Sequence, residues 1–395
     1  MRYFARQLDE IASLRSLRVL GAILALLHIA AIEWWFHTDA LGYLSSAAEP
    51  ICWPLFPSCA GLHALSSYQL ETLFRLLELA SVAVALGFAR PATVRLGYFG
   101  LWALTLVKLA LMTVDFRTRM NQHYMLLFIT AAFLLVTNRP LFIRILVVLF
   151  YVAAAFLKLN RDWLSGASLY RPLWLVPAAY VPLAIRYSIV LELAFAWGLL
   201  ARTRWLFWAA FVQLVAFHLL SSPVVGFFYP LVCLGFLTFV AVERWDGPRP
   251  PFVPRRQLGG ALLLAAFVGL QLIPRLVSDD PALSGEGRLW ALHMFDGRIE
   301  CRGQLTLTHP DGHREPWPML FISEARTACD PIVFWGHARN ACRARTEPDA
   351  DFDLLVLARH ASDPAGVERR LIDVHDFCRA DPPYHVLRHN PWILP

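Results

Sequence analysis

The strongest restriction on this chain is a series of nearly uncharged apolar runs that recurs through its first 280 residues. Each is about 17–20 residues long, enough for a helix to cross the hydrocarbon core of a bilayer. Candidate spans fall at 18–36, 70–88, 96–114, 123–138, 145–160, 183–201, 205–221, 223–242 and 259–276. The division of 205–242 rests on Ser221, Ser222 and Pro223, and another cut there changes the count by one. A mean hydropathy of +0.48, with 57% hydrophobic residues, excludes an ordinary soluble domain. The first run follows Arg2, Arg6, Arg15 and Arg18, as in a signal peptide. It has no clear small-x-small cleavage site and ends in the interfacial cluster EWWF, so it reads as a retained anchor.

Arginine placement gives an expected orientation. With the N-terminus cytoplasmic, the inner connections hold Arg90, Arg95, Arg139, Arg144, Arg202, Arg204, Arg244, Arg249, Arg255 and Arg256. The outer connections are not free of arginine, holding Arg117, Arg119, Arg161 and Arg171. In this topology Cys52, Cys59, Cys301, Cys329, Cys342 and Cys378 all face the oxidising side, and only Cys233 lies in a span. The six are expected in disulfides; Cys52 and Cys59 are close enough to close a local loop, and the other pairings stay open. The formal net charge of +6 comes largely from the inner connections and calls for no nucleic-acid partner. The expected location is the plasma (inner) membrane, with the C-terminal part exoplasmic or periplasmic.

Composition changes near residue 280, where SDDPALSGEG reads as a linker. Residues 1–280 form the expected membrane domain and 285–395 a small exoplasmic one. In the latter, QLTLT followed by HPDG reads as a strand and turn, and DFDLLVLARH as a buried strand. The WALHMF segment is expected to pack on the bundle. The fold class is therefore an all-α polytopic membrane bundle of about nine transmembrane helices followed by a β-rich exoplasmic domain. Eight histidines lie between His293 and His389, with H-x-x-x-H spacing at His309/His313 and His385/His389. The first pair is in a turn and the second has no third ligand nearby in sequence, so no metal site is assigned. No Gly-rich phosphate loop, CxxC or G-x-S-x-G is present.

Ionisable residues inside spans mark a site or a structural pair. Glu71, Arg75 and Glu78 share one helical face and read as a packing ion pair; Glu192 and Arg186 read similarly. Four other residues lie in one layer. Lys158 is 14 residues beyond Arg144, His218 is 14 beyond Arg204, His123 is 16 from Arg139, and Lys108 is 13 beyond Arg95. At about 1.5 Å per residue all stand roughly 20–24 Å from the cytoplasmic anchors. Among 36 Lys plus Arg, only Lys108 and Lys158 are lysine. A guanidinium stays charged, whereas burial disfavours the charged form of an amine and makes it a candidate general base. A base facing the bilayer suits a lipid-soluble acid such as a quinol. Lys108 reads as a lysine snorkelling to the outer interface.

Three stretches in order, NQHYMLLF (121–128), AAAFLKLNRDWLSG (153–166) and VAFHLLSSPVVGFF (215–228), resemble the vitamin K-dependent gamma-carboxylase family. That family is also called the horizontally transferred transmembrane domain. The similarity covers most of 15–245; more weakly, 290–378 resembles the lumenal β domain of animal carboxylases. It implies an enzyme in which Lys158 deprotonates reduced vitamin K or a related menaquinol and His123 assists. His218 matches a histidine of the family, and Asn121, Asp162, Trp163 and His218 are implied at the cofactor. In the family the quinol anion reacts with O2 to give a strong base that removes a glutamate γ-proton; CO2 then adds and the epoxide is left. The implied partners are membrane lipid, the quinol and a glutamate-containing peptide or protein. The family's Lys-Lys-Leu is Leu157-Lys158-Leu159 here, and little sequence follows the β domain. Two other function classes stand beside this one. A non-catalytic protein that binds lipid or assists maturation or export would use its polar residues only in pairs. A transporter would need matched broken helices, and the prolines form no such pair.

Overall fold

The computed structural model describes residues 2–45, 49–56, 58–169, 171–173, 175–246, 257–293, 297–319 and 329–394. Arg249, Arg255, Arg256, the side chains of Arg2 and Arg6, and Met294 and Phe295 of WALHMF lie outside the described residues. The N-terminal part is helical: α1 Arg2–Ser13, α2 Arg15–His37, α3 Ala40–Ser45, α4 Ser67–Gly87, α5 Val94–Val114 and α6 Asn121–Leu135. It continues as α7 Arg139–Leu157, α8 Arg161–Leu164, α9 Val181–Leu193, α10 Arg204–Val225, α11 Phe228–Glu243, α12 Leu258–Val277 and α13 Pro281–Ser284.

Among the described residues six helices are long and apolar enough to cross a membrane: Arg15–His37, Pro91–Val114, Arg139–Leu157, Ala178–Leu200, Arg204–Val225 and Leu258–Val277. Asn121–Leu135 and Phe228–Glu243 are apolar but shorter. Helix α4 carries Glu71, Arg75 and Glu78, which separates it from the six, although Leu76, Leu79 and Leu86 on it are exposed. Its start is a capping box: Ser66 accepts from the Gln69 amide and Gln69 accepts from that of Ser66. Arg75 bonds Glu33 of α2 and Glu78 of its own helix, while Glu71 is solvent-facing. Exposed leucine with an exposed ion pair suits a helix on the bundle's rim.

Two boundaries differ from the sequence reading, each for a local reason. Ser221, Ser222 and Pro223 are inside α10, and the break comes at Gly226, with φ +78°. A Cβ on Gly226 would lie 2.9 Å from the Trp34 ring, so both the turn and the close approach favour glycine. Pro223 therefore lies in the last turn of α10 and does not begin α11. Helix α9 stops at Leu193, and 195–200 continues it as a tighter 3-10 turn.

Arginine–carboxylate pairs close both ends of the bundle. At one, Arg139 pairs with Glu10, Arg144 with Glu243 at 3.3 Å, and Arg244 donates to the carbonyls of Ala201 and Arg202. At the other, Asp115 accepts from the Ile51 amide at 3.0 Å and pairs with Arg117 at 2.8 Å. That end carries the C-terminal domain. Arg119 reaches Asp330 at 2.8 Å, and Asn121 accepts from the His293 amide at 2.7 Å.

The domain is a four-stranded antiparallel sheet, β1 Ile299–Thr308, β2 Arg314–Trp317, β3 Asp351–His360 and β4 Arg369–Val374, in the order β2-β1-β3-β4. Strand β3 is the DFDLLVLARH segment, and β1 and β2 turn at HPDG. Helices α14 Pro331–Ala344 and α15 Phe377–Ala380 complete it, with Phe334, Trp335 and Ala338 packed on Phe352, Leu354 and Val356. The sequence reading missed α14. Its signal was present, since Asp330 caps it and Pro331 opens it. The six cysteines form three disulfides, Cys52–Cys59, Cys301–Cys329 and Cys342–Cys378; Cys233 is buried and free.

Candidate functional site

Lys158 sits at the C-terminal end of α7, where its side chain turns inward and is 2% exposed. Its amine lies 2.5 Å from Glu192 Oε2 on α9, a residue with no exposed surface. The Trp163 and Phe217 rings lie 5.0 and 5.2 Å from Nζ, within cation–π range. Arg186, the partner expected for Glu192, is exposed. It is six residues from Glu192, about 240° round the helix, so the two point in different directions.

Beside the amine is a cavity of about 250 Å³. Its walls are almost wholly apolar, including Leu169, Leu173, Ile185, Leu191, Phe217 and Val224. Lys158 is the one charged residue among its described lining residues. Tyr187 and Leu220, which line it between α9 and α10, are also exposed on the outside of the bundle, so the cavity opens sideways. Tyr229 closes its inner side, and the Tyr229 ring is 5.6 Å from His218. His218 is fully buried; its Nε2 is 2.8 Å from the Tyr151 hydroxyl, and its Nδ1 has no partner among the described residues.

His123 is elsewhere. Its ring lies between Trp35, at 5.2 Å, and Phe228, at 5.3 Å, and both ring nitrogens are buried without a hydrogen bond among the described residues. Lys108 and His28 are its polar neighbours, and a void of about 10 Å³ is lined by Lys108, His28 and Trp35. The four residues expected in one layer thus form two clusters, joined by Phe228 and Tyr229 of α11. Lys108 is buried in the second cluster and does not snorkel.

The remaining expected cofactor residues divide in the same way. Trp163 lines the cavity. Asn121 uses its oxygen on the His293 amide. Asp162 accepts from the Arg298 amide at 2.9 Å, the Ser362 amide at 3.1 Å and His360 Nδ1 at 2.9 Å, and so ties the bundle to the sheet. These oxygens are committed to holding the fold together. Glu192 and Tyr151 are the residues that sequence reasoning did not bring to the site. A carboxylate inside a span needs a cation, which was the available signal for Glu192. Tyr151 gave none.

Among the described residues no group of three or more His, Cys, Asp or Glu is placed to hold a metal ion. His309 is held by Glu315 and Glu347, and His389 by Glu286. No protein-family model, curated protein or solved structure matches the chain.

Proposed function

We propose that this chain is an integral membrane enzyme of the vitamin K-dependent gamma-carboxylase-like type. In this reading α2, α4–α7 and α9–α12 make nine spans in the plasma membrane, the N-terminus is cytoplasmic, and the disulfide-bonded sheet domain is exoplasmic. The observation that carries the reading is a buried primary amine, Lys158, on the wall of an otherwise uncharged apolar cavity that opens on the side of the helical bundle. That wall suits a reduced naphthoquinone such as a menaquinol, with Trp163 and Phe217 against the ring and Leu220 and Val224 beside its isoprenoid tail. The cavity is smaller than the roughly 300–1,000 Å³ of sites that enclose a whole drug-sized ligand, which fits a site taking only the head group. Lys158 removes a hydroxyl proton. The quinol supplies the O2-dependent chemistry, ending in the epoxide, with carboxylation of a glutamate by CO2 as the coupled step. His123 acts at most through the Phe228–Tyr229 contact.

One observation favours a second reading. The Lys158–Glu192 ion pair is also what a non-catalytic, lipid-binding protein would use to fix its helices. Purified protein incubated with reduced naphthoquinone and air separates the two. The enzyme makes quinone epoxide, and Lys158→Arg lowers the rate at least a hundredfold, since guanidinium keeps its proton and base loss costs about 10²–10⁴. Wild-type protein that forms no epoxide, or an active Lys158→Arg variant, overturns the reading.

A further inference from the structure

Resting on that reading, we infer that Glu192 is the residue that lets Lys158 act as a base, by holding the lysine's own proton while the amine takes one from the cavity.

The geometry separates the two roles. Lys158 lines the cavity and Glu192 does not, so a ligand meets the amine and the carboxylate lies behind it, 2.5 Å away. An ammonium has no lone pair, so it must lose a proton before it can accept one. Releasing that proton into an apolar layer would leave a new charge there, at high cost. Passing it to Glu192 creates none: ammonium with carboxylate becomes amine with carboxylic acid at the same net charge. Burial removes water from both ions, which brings the neutral form closer in energy to the ion pair.

The second oxygen of Glu192 supports the assignment. Three carboxylates that serve structure and are as fully buried as Glu192 are filled with donors. Asp115 accepts from the Ile51 and Arg117 amides and from the Arg117 guanidinium, and Asp162 from two amides and His360. Glu286 takes the Asn390 amide, the Asn390 side chain and His389. Glu192 Oε1 is buried and has no partner among the described residues. Tyr151 is turned to His218 and Tyr229 towards Cys233, so neither stabilises the anion. The anchoring carboxylates of equal burial each take three or more donors, whereas Glu192 takes one among the described residues.

The step balances. The Nζ–H bond facing Glu192 breaks as an Oε2–H bond forms. The amine lone pair then takes a quinol hydroxyl proton, and the O–H electron pair stays on the quinol oxygen. Ammonium, carboxylate and quinol become ammonium, carboxylic acid and quinol anion, with one proton moved and net charge unchanged.

The test uses the full chain in lipid nanodiscs. Reduced naphthoquinone added without oxygen should produce a protonated-carboxyl stretching band in the infrared difference spectrum. The band should shift in heavy water, be absent with oxidised naphthoquinone and be absent in Glu192→Gln. That variant keeps an oxygen for Lys158 but cannot take a proton. Its epoxide formation should fall at least a hundredfold with quinol binding changed less than threefold, and Glu192→Asp should recover to within about tenfold of wild type. Epoxide formation by wild type without the band, or by Glu192→Gln within threefold of wild type, overturns this inference alone. A band without epoxide supports the proton transfer and overturns the enzyme reading. Absence of both overturns both. The wild-type spectrum needs no variant, so a poorly folding Glu192→Gln leaves the test standing.

Discussion

Replacing His360 by glutamine should loosen the sheet from the bundle and remove most of the junction's alkaline pH dependence. His360 ends β3 between two carboxylates, with Nδ1 2.9 Å from Asp162 and Nε2 2.8 Å from Asp280. Only imidazolium donates from both nitrogens. Those two bonds, Asp162 first, push the histidine up from 6.5 to about 9. Burial by itself raises Asp162, but hydrogen bonds from His360, Ser362 and Arg298 outweigh it and bring the carboxyl down from 3.8 to about 2. At about 1.36 kcal/mol per pH unit, a rise of that size in His360 is about 3 kcal/mol. The His360 and Asp280 side chains are 31% and 39% exposed, and solvent screening brings the working figure to about 2 kcal/mol. A raised histidine contributes fully below pH 6.5 and loses its contribution as pH rises through about 9. A lowered aspartate contributes above 3.8 and loses it as pH falls towards 2. The junction is therefore tightest between about pH 4 and 6.5. The assay is amide exchange at Arg298 and Ser362, whose N–H groups bond Asp162. Corrected for intrinsic base catalysis, their protection should fall about thirtyfold between pH 6 and 9 in wild type and change little in His360→Gln. A flat wild-type profile, or the same slope in the variant, would refute the argument.

Two shorter predictions concern the cavity and the cysteines. Ala216 lines the cavity and is partly open to the outside, so Ala216→Trp should fill it with little strain. Naphthoquinol affinity should fall at least tenfold with the thermal midpoint nearly unchanged, and unaltered binding would move the ligand elsewhere. Cys301, Cys329, Cys342 and Cys378 should resist alkylation until reduced, whereupon mass mapping should show 301 with 329 and 342 with 378. Recovery of 301 with 342 would contradict the domain's packing.

The helices were legible because an apolar run of span length has few other ways to satisfy its backbone. Strand β3 was legible for a related reason: Phe352, Leu354, Val356 and Ala358 alternate into one core. Side-chain direction was not legible. Counting residues from an arginine fixes the level of Lys108, His123, Lys158 and His218 along the bundle but not the way each faces. Azimuth depends on which helices are neighbours, and α7 meets α9 while α2 meets α4 and α11. That is why the shared layer did not show that His123 lies beside Lys108, and why Glu192 was given Arg186 as its cation and not Lys158. The resemblance implied Asp162 beside the quinol, yet its bonds run to 298, 360 and 362, more than a hundred residues away.

The two lysines, alike in composition and depth, now differ in a way that stability can measure. Lys158 faces a carboxylate, whereas Lys108 has imidazoles nearby and no carboxylate bonded to it among the described residues. Removing one member of a buried ion pair leaves the other charge without compensation and costs about 3–5 kcal/mol. Lys158→Met should therefore destabilise the bundle by about that amount through the stranded Glu192. The double change Lys158→Met with Glu192→Leu should recover most of it, because paired apolar groups of similar volume are often as stable as a buried ion pair. Lys108→Met strands no anion and replaces a costly buried amine with a flexible thioether, so it should be neutral or stabilising. Thermal unfolding in detergent compares the three. If Lys108→Met cost as much as Lys158→Met, an anion would have to be acting on Lys108, and the claim that only Lys158 can shed its proton without creating a charge would fall. If the double variant stayed as weak as Lys158→Met, the loss would come from packing around the lysine stem, and the pair would lose its claim to act as one proton-sharing unit.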